Sequence, residues 1–169
     1  MNRFVGWLSE EWNWKRAIVG PLTVVLIWIA LGYWIDPMPK ENGWDSLTWS
    51  VLFFSKWQAV AAAFMEEVLF RFAPLVVMVA IFHKSRWLVA AMVIPAILFA
   101  VGHDTHDPLS LTMHTTFGFC AAVMFLKCGG FRENNWLGPA KALLTVAAMH
   151  WLCNIGGSLM QFSLGKWHA

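Results

Sequence analysis

Uncharged apolar runs about as long as a membrane crossing recur along the chain. Residues 17–35, 87–102 and 108–126 contain no Asp, Glu, Lys or Arg. A helix of about 20 mostly apolar residues crosses the ~30 Å of hydrocarbon in a bilayer. Lipid offers the backbone no hydrogen-bond partner, and a helix meets that need within its own segment. The runs therefore predict an all-α protein, a polytopic bundle of transmembrane helices.

The overall composition supports a membrane protein. Of the 169 residues, 59% are hydrophobic and 13% are charged, whereas a soluble domain has about 25% charged residues. We predict a single membrane-embedded domain over residues 1–169, with about five spans and two short surface helices. The spans are expected at 16–35, 57–82, 87–102, 109–127 and 139–159, with a surface helix at 1–15 and a short re-entrant or surface helix at 46–56. Pro74 is expected to kink the second span.

The distribution of Lys and Arg predicts the orientation of the chain. With five spans and the N-terminus inside, the inner side carries eight basic residues and the outer side two, which satisfies the positive-inside rule. The inner residues are Arg3, Lys15, Arg16, Lys84, Arg86, Lys127, Arg132 and Lys141, and the outer ones are Lys40 and Lys166. The net charge of +2 is small and scattered, so nucleic acid is not an expected partner.

Three charged residues lie inside the apolar second span. Glu66, Glu67 and Arg71 have uncharged neighbours from Gln58 to His83. Ionisable groups at membrane depth are expensive and usually face a bundle interior or a wet cavity. Glu67 and Arg71 are four apart, so they share a helix face and can pair, whereas Glu66 points about 100° away. The pattern indicates either a functional site or a buried ion pair that helps assemble the bundle.

Two further pairs of residues four apart occur in other spans. Phe99 and His103 end the third span, and His150 and Asn154 lie in the fifth. Measured from the inner ends, Glu66 and His103 lie about 25 Å up and His150 about 16 Å. All three can therefore meet around one cavity in the outer half of the bilayer. The alternative is a structural role, in which His150 and Asn154 bridge helices by hydrogen bonds.

The remaining reactive side chains give weaker signals. His106, with Asp104 and Asp107, is interpreted as part of a solvated turn, and His114 as packing within the fourth span. The cysteines form no CxxC pair and are interpreted as small buried residues, with a nucleophilic or redox role as the alternative. They are Cys120, Cys128 and Cys153.

The order and spacing of these motifs resemble a known family. Over about residues 57–157 the series is similar to that of the CPBP family, which includes CAAX-prenyl endopeptidases and bacteriocin-processing (Abi-type) membrane proteases. The chain is short for that family, and His106 is not part of its motif series. The matching motifs are Glu66-Glu67-x-x-x-Arg71, Phe99-x-x-x-His103, the aromatic and glycine segment Phe117-Gly118-Phe119, and His150-x-x-x-Asn154.

The resemblance implies a glutamate-dependent intramembrane endopeptidase without metal or other cofactor. Glu66 and His103 would activate the attacking water, and His150 and Asn154 would stabilise the oxyanion. Supporting roles would fall to Glu67, Arg71 and Phe99. The implied substrate is a membrane-anchored protein or peptide, cleaved in or near its anchored, C-terminal part. The implied location is the cytoplasmic membrane of a bacterium or archaeon.

Three other functions stay open at this point. Glu66, His103 and His150 could supply three ligands to a catalytic zinc, with water in the fourth position. The protein could instead bind a peptide without cleaving it, as an immunity-type or scaffolding protein. A proton or ion relay along the Glu and His side chains is the third alternative.

Overall fold

The described part of the chain is helical throughout, apart from short turns. The computed structural model describes residues 3–35, 59–82, 87–103, 108–130 and 136–163. The helices within them are α1 (Arg3–Ser9), α2 (Trp14–Ile35), α3 (59–82), α4 (Leu88–Gly102), α5 (Pro108–Phe125) and α6 (Leu137–Ser163). The described residues contain no strand, which confirms the all-α prediction for them.

The structure supports two of the five predicted spans as membrane-crossing helices. Among the described residues, Trp14–Leu31 and Pro108–Gly130 are long and apolar enough to cross a bilayer, and Leu88–Gly102 is a shorter apolar helix. Helix α3 carries the three charged side chains predicted to form the site, and α6 contains Lys141. The five-span arrangement therefore stays a prediction. The predicted surface helix 46–56 and His106 lie outside the described residues.

Helix α3 contains a wide turn at its centre. Residues 59–67 are α-helical, Val68–Phe72 form a π-helical turn, and Ala73–Phe82 are α-helical again. The Ala73 N–H donates to the Val68 carbonyl, one residue further back than in an α-helix. Pro74, which has no N–H to donate, follows at once, so the irregularity lies immediately before the proline that was expected to kink this span.

The core lies where α4 and α5 pack together and where α2 packs along α6. Buried aromatic rings mark its centre. Phe99 of α4 and Phe117 and Phe125 of α5 are each at most 3% exposed. Gly118 permits the close approach of α5 to its neighbours, because a Cβ there would lie 3.0 Å from the Ala96 Cα and 3.2 Å from an Arg71 terminal nitrogen. The site described below is built on this tight contact.

Buried Lys127 links the N-terminal segment to the π-helical stretch Leu126–Gly130, which follows α5. The Lys127 Nζ donates hydrogen bonds to the carbonyls of Trp7 and Glu10, and it lies 4.0 Å from the centre of the Trp7 ring. The Trp12 N–H donates to the Lys127 carbonyl at 2.9 Å. Gly129, with a φ of 107°, breaks the helix just beyond. The first residues therefore pack against the bundle. The sequence predicted that they form a helix on the membrane surface.

Candidate active site

One carboxylate faces two imidazoles that come from different helices. Glu66 extends from α3, His103 lies at the C-terminal end of α4, and His150 lies within α6. The Glu66 Oε2 is 3.8 Å from the His103 Nε2 and 3.7 Å from the His150 Nε2. The side chains of Glu66 and His103 are each 31% exposed, and that of His150 is 4% exposed. The structure thus brings together three of the four residues for which the sequence predicted catalytic roles.

Hydrogen bonds fix the orientation of both imidazole rings. The His103 Nδ1–H donates to the Phe99 carbonyl at 2.8 Å, and the His150 Nδ1–H donates to Glu67 Oε1 at 2.8 Å. In a neutral ring with the proton on Nδ1, Nε2 carries the lone pair. Both Nε2 atoms turn toward Glu66, at separations longer than a direct hydrogen bond but short enough for one water molecule to bridge.

Glu67 and Arg71 form a buried pair beneath this group. The Arg71 Nε lies 3.2 Å from Glu67 Oε2, and both side chains are at most 1% exposed. The guanidinium also stacks over the Phe99 ring, with its Cζ 4.3 Å from the ring centre. The predicted pairing across one turn is therefore present. Glu67 has a second partner, His150, 83 residues further along the chain, which the sequence did not indicate.

Aromatic rings form the apolar side of the group. The Phe99 ring lies 4.3 Å from the His103 ring and 5.6 Å from the His150 ring, while Phe117 lies 5.0 Å from the His150 ring. Trp28 of α2 packs behind Phe117 at 5.0 Å. These contacts exclude water from one side of each imidazole. Phe99 was predicted as a supporting residue, and Trp28 carried no signal because tryptophans occur throughout the chain.

The other predicted residues occupy varied positions. Asn154 lies one turn beyond His150 on α6 and is exposed. His114, interpreted from sequence as packing, has its ring centre 4.8 Å from that of His103. Cys128 and Cys153 are buried as predicted, and Cys120 is half-buried. All three thiols are free.

The metal alternative depends on the same side chains. Across residues 3–35, 59–82, 87–103, 108–130 and 136–163, no group of three or more His, Cys, Asp and Glu side chains is arranged to hold a metal ion. Even so, two of the observed contacts are typical of zinc ligands, because a ligating histidine usually donates its other N–H to a carboxylate or a carbonyl. Activity measured with and without a strong chelator therefore distinguishes a bound water from a bound metal ion at this position.

The chain is similar to a known protein family over more than half of its length. The family model described as type II CAAX prenyl endopeptidase Rce1-like matches residues 45–156, which is more than half of the chain. This stretch includes Glu66, Glu67, His103, His150 and Asn154. No curated protein and no solved structure matches the chain.

Proposed function

The chain belongs to the Rce1-like family of type II CAAX prenyl endopeptidases, whose members are integral membrane proteins, and we propose from this that Glu66 and His103 activate water for peptide hydrolysis. The observation that carries the proposal is the convergence of the Glu66 carboxylate and two imidazole Nε2 atoms within 3.8 Å. A half-exposed carboxylate among buried aromatic rings can reach both water and a peptide from the membrane. The proposed enzyme is thus a glutamate-type intramembrane endopeptidase.

The proposed reaction needs no group other than water and the chain's own residues. Glu66 accepts a proton from a water molecule that also hydrogen-bonds to the His103 Nε2, and the water oxygen attacks the peptide carbonyl carbon. The carbonyl π electrons move to the oxygen and form an oxyanion. When the C–N bond breaks, Glu66 returns the proton to the leaving nitrogen. A new carboxyl terminus and a new amino terminus result.

Glu67 restricts the hydrogen bonds that His150 can donate. The His150 Nδ1–H is already bound to Glu67, so the His150 Nε2 can donate to an oxyanion only when the ring is an imidazolium. A carboxylate bonded to Nδ1 holds the ring in a fixed orientation, as the aspartate does in Ser-His-Asp sites. We assign His150 and Asn154 to the oxyanion as its two hydrogen-bond donors.

The Asn154→Ala variant tests the oxyanion assignment at an exposed position of α6. Loss of one such donor lowers kcat by about 10²- to 10³-fold where it has been measured. We expect a fall of that size with KM little changed. Thr145→Val, on the same helix, is the matched control, since its hydroxyl donates to the carbonyl of its own helix at 2.9 Å. An Asn154→Ala enzyme with full activity would remove Asn154 from the mechanism.

The substrate is proposed as a membrane-anchored protein cleaved in or near its anchored, C-terminal part. Mass spectrometry of membrane proteins from cells with the wild-type chain or Glu66→Gln identifies the substrate and the bond. A new peptide terminus that requires Glu66 supports hydrolysis. A partner that co-purifies with an unchanged mass supports the non-catalytic binding protein instead. Activity lost in a strong chelator and restored by Zn²⁺ would favour the zinc alternative, with Glu66, His103 and His150 as ligands.

We propose that the N-terminus is inside and that the site opens toward the outer face of a cytoplasmic membrane. The support comes from the loop charges and from the position of His103 at the outer end of its predicted span. A cysteine placed at residue 105, next to that end, should react with a membrane-impermeant maleimide added to intact cells. A cysteine replacing Lys141, near the opposite end, is the control and should react only after lysis. The reverse pattern would invert the orientation.

A further inference from the structure

The side chain at position 114 is a candidate for a role that the motifs do not assign. Its ring centre lies 4.8 Å from that of His103, with an angle of 31° between the ring planes. The Phe99 ring is 4.3 Å from His103 and 6.4 Å from His114. Because the Phe99 and His114 rings lie farther from each other than either lies from His103, they contact His103 from different directions. The three rings form a compact triangle next to Glu66.

His103 needs support from outside its own helix. It is the residue that caps α4, and helix ends fray. Its hydrogen bond goes to the Phe99 carbonyl and its closest ring contact is with the Phe99 side chain, both in the helix that carries His103. These contacts move with the helix end. His114 is on α5, a neighbouring helix that is buried from Ala121 to its end at Phe125, so the His114 ring contacts His103 from outside α4.

His114 is itself held in a fixed orientation. Its Nδ1–H donates to the Ser110 carbonyl at 2.8 Å, and the Ser110 hydroxyl lies 3.4 Å from the same nitrogen. The ring is half-buried. The His114 ring therefore faces His103 in a fixed orientation.

We propose that His114 is a positioning residue, whose ring holds His103 so that its Nε2 stays directed at Glu66. The proposal rests on the proposed function, in which that nitrogen orients the attacking water. Aromatic contacts of this kind change a side-chain population by about 2- to 10-fold. Losing the contact should let the His103 ring turn away from Glu66 and toward solvent.

The test compares His114→Leu, which removes the aromatic ring, with His114→Phe, which keeps a ring that cannot be protonated. His114→Met, whose flexible side chain fills irregular space, replaces the leucine variant if that one does not fold. Thr112→Val is the control, because Thr112 is exposed one half-turn away and its hydroxyl donates to the Pro108 carbonyl. The first measurement is the rate at which diethyl pyrocarbonate modifies His103 in purified protein, resolved by peptide mass spectrometry.

We expect His114→Leu to raise the His103 modification rate about 2- to 10-fold and to lower kcat by a similar factor, with KM unchanged. His114→Phe and Thr112→Val should stay within about twofold of wild type in both, a spread below the effect of one aromatic contact. An unchanged modification rate in the leucine variant would overturn the proposal. A His114→Phe variant as impaired as His114→Leu would also overturn the proposal, since that result would assign His114 to proton transfer.

The chemical readout separates this proposal from the proposed function. Modification of His103 by diethyl pyrocarbonate requires no proteolysis, so the ring contact is measured even in a protein that cleaves nothing. If the modification rates follow the expected order while the wild-type protein shows no peptidase activity, the positioning of His103 stands and the endopeptidase assignment fails. If the wild-type protein cleaves peptides but the modification rates do not differ among the variants, the endopeptidase assignment stands and the positioning of His103 by His114 fails.

Discussion

Replacing Glu66 by glutamine is expected to lower the rate of peptide cleavage by about two to four orders of magnitude, the usual contribution of a general base. Glutamine keeps the length and shape of the side chain but cannot accept the proton of the attacking water. The effect should appear mainly in kcat, because the change leaves the surrounding apolar surface intact. The measurement is the rate of product formation in detergent or liposomes, with the substrate found by mass spectrometry.

The folding of Glu66→Gln should match that of the wild type. Glu66 is part-exposed and is not a member of the buried pair, so removing its charge leaves no other charge unpartnered. Glu10→Gln is the matched control, since Glu10 is an exposed carboxylate of the same chain. It should retain full activity. A Glu66→Gln enzyme that cleaves at the wild-type rate would end the assignment of Glu66 as the base.

Removing the buried guanidinium should have the largest effect on stability. The Arg71→Met variant leaves the Glu67 carboxylate at 0% exposure without its cationic partner. Breaking one side of a buried ion pair typically costs about 3–5 kcal/mol in the free energy of unfolding. Methionine preserves much of the volume next to Phe99, so the loss comes mainly from the unpaired charge. Denaturant unfolding in mixed micelles measures it.

A second variant separates charge from packing. In Glu67→Gln/Arg71→Met, a neutral amide replaces the carboxylate and can still accept the His150 Nδ1–H through its oxygen. The double variant should therefore be more stable than Arg71→Met alone. If the two unfold at the same denaturant concentration, the destabilisation arises from lost packing against Phe99. If Arg71→Met is as stable as wild type, the pair contributes nothing to folding.

The helices were predictable because membrane-crossing length and apolar runs carry a strong signal. The third span was predicted at 87–102 and the helix is Leu88–Gly102; the fifth was predicted at 139–159 and the helix is Leu137–Ser163. Two described helices are long and apolar enough to cross a bilayer, whereas α4 is shorter and α3 carries the three charged residues of the site.

The site was only partly predictable, because spacing along one helix says which residues share a face but not what that face meets. The pairing of Glu67 with Arg71 follows from their separation of four. The bond from His150 to Glu67 joins residues 83 apart, and no local pattern indicates it. The ring contact between His114 and His103 has no local pattern either, since a single histidine has no spacing to interpret. Lys127 was counted among the inner loop charges, and the structure buries it against backbone carbonyls.

The wide turn in α3 determines which sequence positions lie on the inward face of the helix. The buried positions Ala63, Glu67, Arg71 and Leu75 recur at every fourth residue. In an uninterrupted α-helix each step of four overshoots a full turn by about 40°, so three steps would rotate Leu75 about 120° away from Ala63. The π-helical turn contains more residues per turn and offsets this drift. Deleting a single residue between Val68 and Phe72 would therefore let an uninterrupted α-helix keep Ala63 and Leu75 on one face, because the eleven remaining steps end about 20° from a whole number of turns.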